Sequence, residues 1–274
     1  MLAKERHKLE KKAFQIRKKI LKIILSAHAS HIASSYSIVE LLVYLYQNVL
    51  KINPRKPLDS NRDRFILSKG WGISALYTIL ADRGFFSTKF LEQYCKDGSK
   101  MIGIATKNGL SGIEATTGSM GHGLPIGAGI AKALKLQNKK GKVVVLISDG
   151  ECDEGTTWES ALICSHHQLD NLLVILDYNK WQSFGRTNEV LNLEPLVEKW
   201  KAFNWHVEVL KDGHNFKQID SAVSACYRVR NKPQIIIAHT VKGKGLPIIE
   251  DKNQWHYQTP REEEIQAAKR EGLL

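Results

Sequence analysis

Three short apolar runs constrain this chain more than any other feature. Val143–Ile147 (VVVLI), Leu172–Leu176 (LLVIL) and Gln234–Ala238 (QIIIA) are continuous rather than alternating. Runs this short are strand-sized, far below the ~20 apolar residues a membrane helix requires. A strand that is apolar at every position must be covered on both faces, which is the condition of a parallel sheet flanked by helices. The intervening stretches read as helices at 156–168, near 195–203 and at 215–230, with a further strand at 205–210. Upstream, Arg64–Ser68 is a short strand ended by Lys69-Gly70, with a helix over 71–82. Residues 13–27 and 37–49 read as amphipathic helices, the second with Leu41, Leu42, Leu45 and Val49 at helical spacing. The small, polar stretch His28–Ser35 reads as the loop between them, and residues 53–57 (NPRKP) as a turn. The expected fold class is α/β, a doubly wound parallel sheet with helices on both faces. It fills one domain over residues 1–274, with a basic N-terminal helix (about 1–27) and a short C-terminal tail (about 251–274).

Composition narrows the function classes. With 274 residues, 43% hydrophobic and 25% charged, the chain can build a sizeable core and is not low-complexity. Cys95, Cys152, Cys164 and Cys226 lie far apart with no metal-ligand spacing, so no zinc site and a reducing, cytoplasmic setting are expected. The first residues lack an apolar core, so no signal peptide is expected, and a soluble protein follows. The net charge of +12 suggests nucleic acid, but its distribution argues otherwise. Residues 1–22 hold nine Lys and Arg against two Glu, so more than half of the net charge sits on one terminal helix. That helix reads as a solvated face or as an arm toward an acidic partner. Neither nucleic acid nor membrane is expected as a partner.

Parallel sheets bind ligands beyond the carboxyl ends of their strands. The first run leads into Ser148-Asp149-Gly150-Glu151 and the second into Asp177-Tyr178-Asn179-Lys180-Trp181. If the two strands are neighbours, Asp149 and Asn179 face one crevice. A carboxylate and an amide carbonyl are hard oxygen donors, suited to magnesium that also binds a diphosphate and water. Taken alone, Asp149 reads equally as a turn or N-cap residue and Asn179 as a turn residue.

The surrounding sequence resolves this. The stretch SDGECDEGTTWESALICSHHQLDNLLVILDYNKWQSFG resembles the cofactor-binding domain of transketolases. The resemblance continues in SHIASSYSIVELLVYLY, RDRFILSKG, GIEATTGSMGHGLPIGAGIAKAL, DGHN, HTVKGKG and QWHY, and so covers most of the chain. It implies thiamine diphosphate and magnesium (or calcium or manganese in its place) as cofactors. Asp149, Asn179 and the backbone carbonyl of Trp181 match the family's metal ligands. Gly118, Met120, Gly121, His122, Gly123, Gly150 and Glu151 join Asp149 and Asn179 as the implied cofactor-binding set. Met120 stands where a backbone contacts the aminopyrimidine, and Gly121-His122-Gly123 opens a helix that would bring N–H groups or His122 near the cofactor. His31 and His256 match catalytic histidines, and Glu154 matches a carboxylate of the subunit interface. His28 reads as a loop bystander, and His166 and His167 as structural. Cys152 has no base beside it and is assigned no chemistry. His214 either shapes its loop or acts in catalysis.

The chain departs from the family in three ways. Ser148 replaces a glycine. Trp71 and Ile104, or a neighbour of Ile104, stand where family histidines would meet phosphates and a donor hydroxyl. The chain also ends soon after the first domain, without the pyrimidine domain that carries the activating glutamate. The resemblance therefore implies the N-terminal subunit of a split enzyme, in a homodimer or heterotetramer with a separately encoded C-terminal subunit. That enzyme would move a two-carbon ketol unit from a sugar-phosphate or 2-oxo donor to an aldehyde acceptor. The alternatives are an acyloin-forming synthase that uses pyruvate and a degenerate regulatory subunit.

Overall fold

The computed structural model describes residues 1–274. Five strands form one all-parallel sheet: β1 (Arg64–Leu67), β2 (Val143–Ser148), β3 (Leu172–Tyr178), β4 (His206–Leu210) and β5 (Gln234–His239). Their spatial order is β1-β2-β3-β5-β4. The expected neighbouring of the two longest apolar runs holds, with Val143 opposite Leu172 and Ser148 opposite Asp177.

Alternation along each strand divides the core in two. Val144 and Leu146 of β2, with Leu173 and Ile175 of β3, pack toward one face. Val143, Val145 and Ile147, with Leu172, Val174 and Leu176, pack toward the other. Successive side chains of a strand point to opposite faces, so a strand covered on both sides must be apolar throughout. Each fully buried Val, Leu or Ile contributes ~1.5–3 kcal/mol relative to exposure.

The first face is covered by α1 (Ala3–Ala27), α2 (Ile32–Tyr36), α3 (Val39–Tyr44) and α4 (Ile73–Asp82). In α1, Leu9, Ala13, Ile16, Ile20, Leu21 and Ile24 form the buried stripe. His28 ends α1 in a left-handed conformation (φ 48°), and the Ala29 N–H closes the cap on the Ile24 carbonyl at 3.0 Å. The second face is covered by α5 (Gly123–Leu136) and α6 (Gly155–His166). A Cβ at Gly127 would collide with Val145, so the glycine lets α5 lie close on β2. Further along come α7 (Thr187–Val190), α8 (Leu196–Ala202), α9 (Phe216–Cys226) and α10 (Glu262–Arg270).

One local expectation is corrected. The second half of the stretch read as a loop, from Ile32 to Ser35, belongs to the helix α2, and all five residues of that helix are buried. Packing on every side overrides the weak helix preference of its serines. The C-terminal tail carries α10, whose first turn holds Glu262, Glu263 and Glu264 and whose last turn holds Lys269 and Arg270. Those charges complement the helix dipole. No helix is long and apolar enough to cross a membrane.

Candidate functional site

The carboxyl ends of β1, β2, β3 and β5 open into one cavity of about 290 Å³. Each of these strands delivers a polar residue to its wall just beyond its end: Lys69 after β1, Asp149 after β2, Asn179 after β3 and Lys242 after β5. His31, Trp71, His256 and Tyr257 also line it.

Asp149 is almost fully buried. Its Oδ1 accepts the Gly150 N–H at 3.0 Å, and its Oδ2 accepts the Lys180 N–H at 2.8 Å and the Thr187 hydroxyl at 2.9 Å. Burial, and then the nearby Asp177 charge, push its pKa up to about 7. A carboxylate placed so calls for a cation beside it. Asn179 donates to Asp177 Oδ2 at 2.9 Å, which orients its Oδ1 as an acceptor. That oxygen takes the Trp181 N–H at 3.1 Å. The following hairpin pairs Gln182 N–H with the Gly185 carbonyl and Thr187 N–H with the Lys180 carbonyl, leaving the Trp181 carbonyl without a donor. Its indole N–H donates to Asp251 at 2.7 Å, and Arg186 lies over its ring at 3.9 Å.

Behind these groups, Asp177 is completely buried. Burial would raise its pKa, but the Lys69 ammonium and its hydrogen-bond donors outweigh that and hold it low. Its partners are Lys69, Thr240, Ser37 at 2.8 Å and Asn179. A buried carboxylate satisfied this fully is a fixed support for Asn179.

His31 lies in left-handed backbone geometry (φ 64°), a costly position for a non-glycine residue. Its Nδ1 is buried without a partner. Burial, then the charges of Lys242 and Lys69, lower its pKa to about 4. His256 is lowered to about 3 by burial and by Lys242, whose ammonium donates to His256 Nδ1 at 2.9 Å. Lys242 is itself lowered to about 8 by burial. Both histidines are thus neutral at pH 7 and offer hydrogen bonds rather than charge.

The structure brings His31, His256, Gly118, Met120, Asp149, Gly150, Glu151, Asn179 and Trp181 to one cavity. It does not bring Gly121, His122 or Gly123 to the wall. The Gly121 N–H donates to Glu151 Oε1 at 3.2 Å, and the Gly123 N–H to Ser68 Oγ at 3.0 Å. His122 is exposed and turns its Nδ1 to the Met120 carbonyl at 2.9 Å. The Gly121 and Gly123 N–H groups are thus taken by Glu151 and Ser68. Glu151 borders the cavity but is fully buried, and it ties Ser68, Gly121 and Ser148 together. Ile104 packs on Gly118 and is not part of the wall, whereas Trp71 is. Glu154 packs beside Gly121, half-buried. Lys69, Lys242 and Tyr257 are absent from the sequence-derived set. The strand-end rule reveals the two lysines once it is applied to β1 and β5 as well as β2 and β3.

The donor set fits a divalent cation shared with a diphosphate. No cluster of three or more His, Cys, Asp or Glu side chains could hold a metal by itself. One carboxylate, one amide oxygen and one free carbonyl leave coordination positions for phosphate oxygens. A Cβ on Gly150 would meet nothing closer than Gln182 at 3.5 Å, so room beside this backbone belongs to the cavity rather than to protein packing.

Comparison with known proteins agrees. The family profile described as "Transketolase, thiamine diphosphate binding domain" matches residues 9–272. The chain is 40% identical over 260 residues to the 6-deoxy-6-sulfo-D-fructose transketolase subunit SqwG of a Clostridium species, covering 95% of this chain and 94% of that protein. It is 38% identical over 263 residues to an apulose-4-phosphate transketolase subunit from Actinobacillus succinogenes, with coverage of 95% and 94%. Among solved structures, the transketolase from Leishmania mexicana superposes with a TM-score of 0.90 at 26% identity, covering 96% of this chain and 41% of that one. The transketolase from Campylobacter jejuni gives 0.90 at 27%, with coverage of 96% and 42%. The chain thus spans about two fifths of these transketolases but nearly all of the two subunits. The fold, the strand-end cavity and these matches together show that the chain belongs to the transketolase family, as its thiamine diphosphate binding domain.

Proposed function

We propose that this chain is the N-terminal subunit of a two-subunit, thiamine-diphosphate-dependent transketolase. It would move a two-carbon ketol unit from a ketose phosphate donor to an aldose acceptor. One observation carries the reading: Asp149, Asn179 and the unpaired Trp181 carbonyl share a cavity with the neutral His31 and His256. Relatives named as transketolase subunits, matched along nearly their whole length, support a separate partner chain, which would supply the pyrimidine domain.

Asp149, Asn179 and the Trp181 carbonyl would hold magnesium, and Gly150 would let the diphosphate approach the backbone. Met120 and Gly118 border the space for the rings. When bound, thiamine diphosphate supplies the carbon nucleophile that carries the two-carbon unit. The chain's residues orient the substrate. His31 and His256 present neutral imidazoles to the cavity, where each can share a hydrogen bond with a substrate oxygen. Lys69 is paired with Asp177, which leaves Lys242, beside His256, as the cation that can meet an anionic group of the substrate. We read residues 1–274 as one diphosphate-binding domain, placed in the cytoplasm on the strength of its four free thiols.

The wall position of Trp71 favours a second reading, an acyloin-forming synthase using pyruvate, because an indole makes no demand for a donor hydroxyl. The test is to combine the chain with its pyrimidine-domain subunit, magnesium and thiamine diphosphate. Ketol transfer is then followed with xylulose 5-phosphate, hydroxypyruvate and pyruvate as donors. Cofactor binding without transfer from any donor would overturn the reading in favour of a degenerate subunit.

A further inference from the structure

His214 lies in the DGHN segment between β4 and α9 and is 8% exposed at its side chain. It is not part of the cavity wall. Both ring nitrogens are engaged: Nε2 accepts the Val241 N–H at 2.8 Å, and Nδ1 faces Glu40 Oε2 at 2.9 Å. A nitrogen that accepts an N–H carries no proton, so Nδ1 is the donor to Glu40. Glu40 on α3 is gripped in turn by Arg17 of α1, through Nη1 at 2.6 Å and Nη2 at 2.8 Å. The Arg17 Nε–H donates to the Lys244 carbonyl at 2.6 Å.

These bonds converge on the segment after β5. Val241 is held by His214, Gly243 by the Ala33 carbonyl at 3.1 Å, and Lys244 by Arg17. Between these anchors Lys242 runs into the cavity, 1% exposed, and donates to His256. A lysine side chain is long and rotamer-rich, so its aim depends on how firmly its backbone is held.

We propose that His214 is a positioning residue for the ketol transfer described above: through the Val241 N–H it fixes the loop that aims Lys242 at His256. The assignment rests on that functional reading for its catalytic consequence, and on geometry alone for the brace. His214 is no acid or base, because neither nitrogen faces the cavity.

Two variants separate the arms of the imidazole. His214→Asn keeps a donor at the Nδ1 position for Glu40 but has nothing that reaches Val241. His214→Gln keeps an acceptor at the Nε2 position. Amide hydrogen exchange over Val241–Gly245 is measured on the full chain, and kcat and KM on the assembled two-subunit enzyme. The expected result is that His214→Asn speeds exchange at Val241 by about tenfold or more. It also lowers kcat by about tenfold or more with KM little changed, and His214→Gln restores both. Unchanged exchange in His214→Asn, unchanged kcat despite faster exchange, or equal losses in both variants would overturn the proposal. If the wild-type pair transfers no ketol unit from any donor, the functional reading falls by itself. Exchange then decides the brace: a rise in Asn reversed in Gln upholds it, and no rise overturns it.

Discussion

The His31 imidazole stacks on the Trp71 indole, with ring centroids 4.4 Å apart and planes 24° apart. His256 meets the same imidazole edge-on at 5.2 Å. An indole can cover a substrate's apolar face, but it accepts no hydrogen bond from a hydroxyl, whereas an imidazole accepts or donates. Trp71→His is therefore expected to favour a hydroxylated donor. The specificity constant for xylulose 5-phosphate should rise relative to pyruvate by about 3- to 10-fold, the worth of one net hydrogen bond. Steady-state kinetics of the reconstituted pair provide the check, and an unchanged or lower ratio would refute the role given to Trp71.

Asp149→Ala removes the only carboxylate of the proposed metal site. Losing one partner of a buried, bonded charge pair costs about 2–5 kcal/mol, so magnesium-dependent cofactor binding should weaken about 30-fold or more. Asn179→Ala removes a neutral donor and should weaken it less, by about tenfold. Calorimetric titration of the assembled enzyme with thiamine diphosphate and magnesium tests both, and wild-type Kd values would rule the site out.

The surface of α5 and α6 exposes Ile126, Leu162 and Ile163, with Met120 exposed at the cavity rim. Obligate interfaces of this family's kind bury more than ~2,000 Å². The isolated chain should self-associate, and addition of the partner should give a heterotetramer. Ile163→Asp should shift the isolated chain toward monomer. Light scattering over a concentration series checks this; a wild-type chain that stays monomeric at high concentration, with or without its partner, counts against it.

Glu40 is buried, which by itself would raise its pKa, but Arg17 and His214 hold it down at about 2 from an ordinary 4.5. A depressed carboxylate stabilises the fold above its unfolded pKa. The contribution is complete above about pH 5 and is lost as the pH falls through about 2. A shift of that size corresponds to about 3 kcal/mol. Glu40→Gln should lose about that much at pH 7 by leaving Arg17 unpaired, and should show a flatter decline in stability below pH 4.5. Urea unfolding of both proteins at pH 7 and pH 3 reads this directly, and equal stabilities at pH 7 would contradict it.

The parts of this molecule legible in its sequence are those where one physical demand dominates. β2 and β3 are covered on both faces, so their apolar runs stand out, and the residues just past them, Asp149 and Asn179, follow from the strand-end rule. α2 is hidden because Ser34 and Ser35 carry polar-loop chemistry while tertiary packing makes them helical and buried. α10 is hidden because a mostly charged stretch buries only Glu264, Ala267 and Ala268. Gly121 and Gly123 depend on partners distant in sequence. A glycine-rich helix start suggests amides aimed at a phosphate, but Glu151 and Ser68, far away in sequence, take those amides first. Which acceptor reaches an N–H first is settled by three-dimensional packing, which no local spacing encodes.

The bond from Arg17 to the Lys244 carbonyl closes a separation of 227 residues. During synthesis at ~5–20 residues per second, that interval lasts on the order of ten to fifty seconds. Through that time α1, with Leu9, Ile16, Ile20 and Ile24 along one side, has left the ribosome without the segment that completes its resting place. α3 and α4, which cover most of that stripe, emerge soon after it, so what waits for the end of the chain is the Arg17 side chain rather than the apolar face.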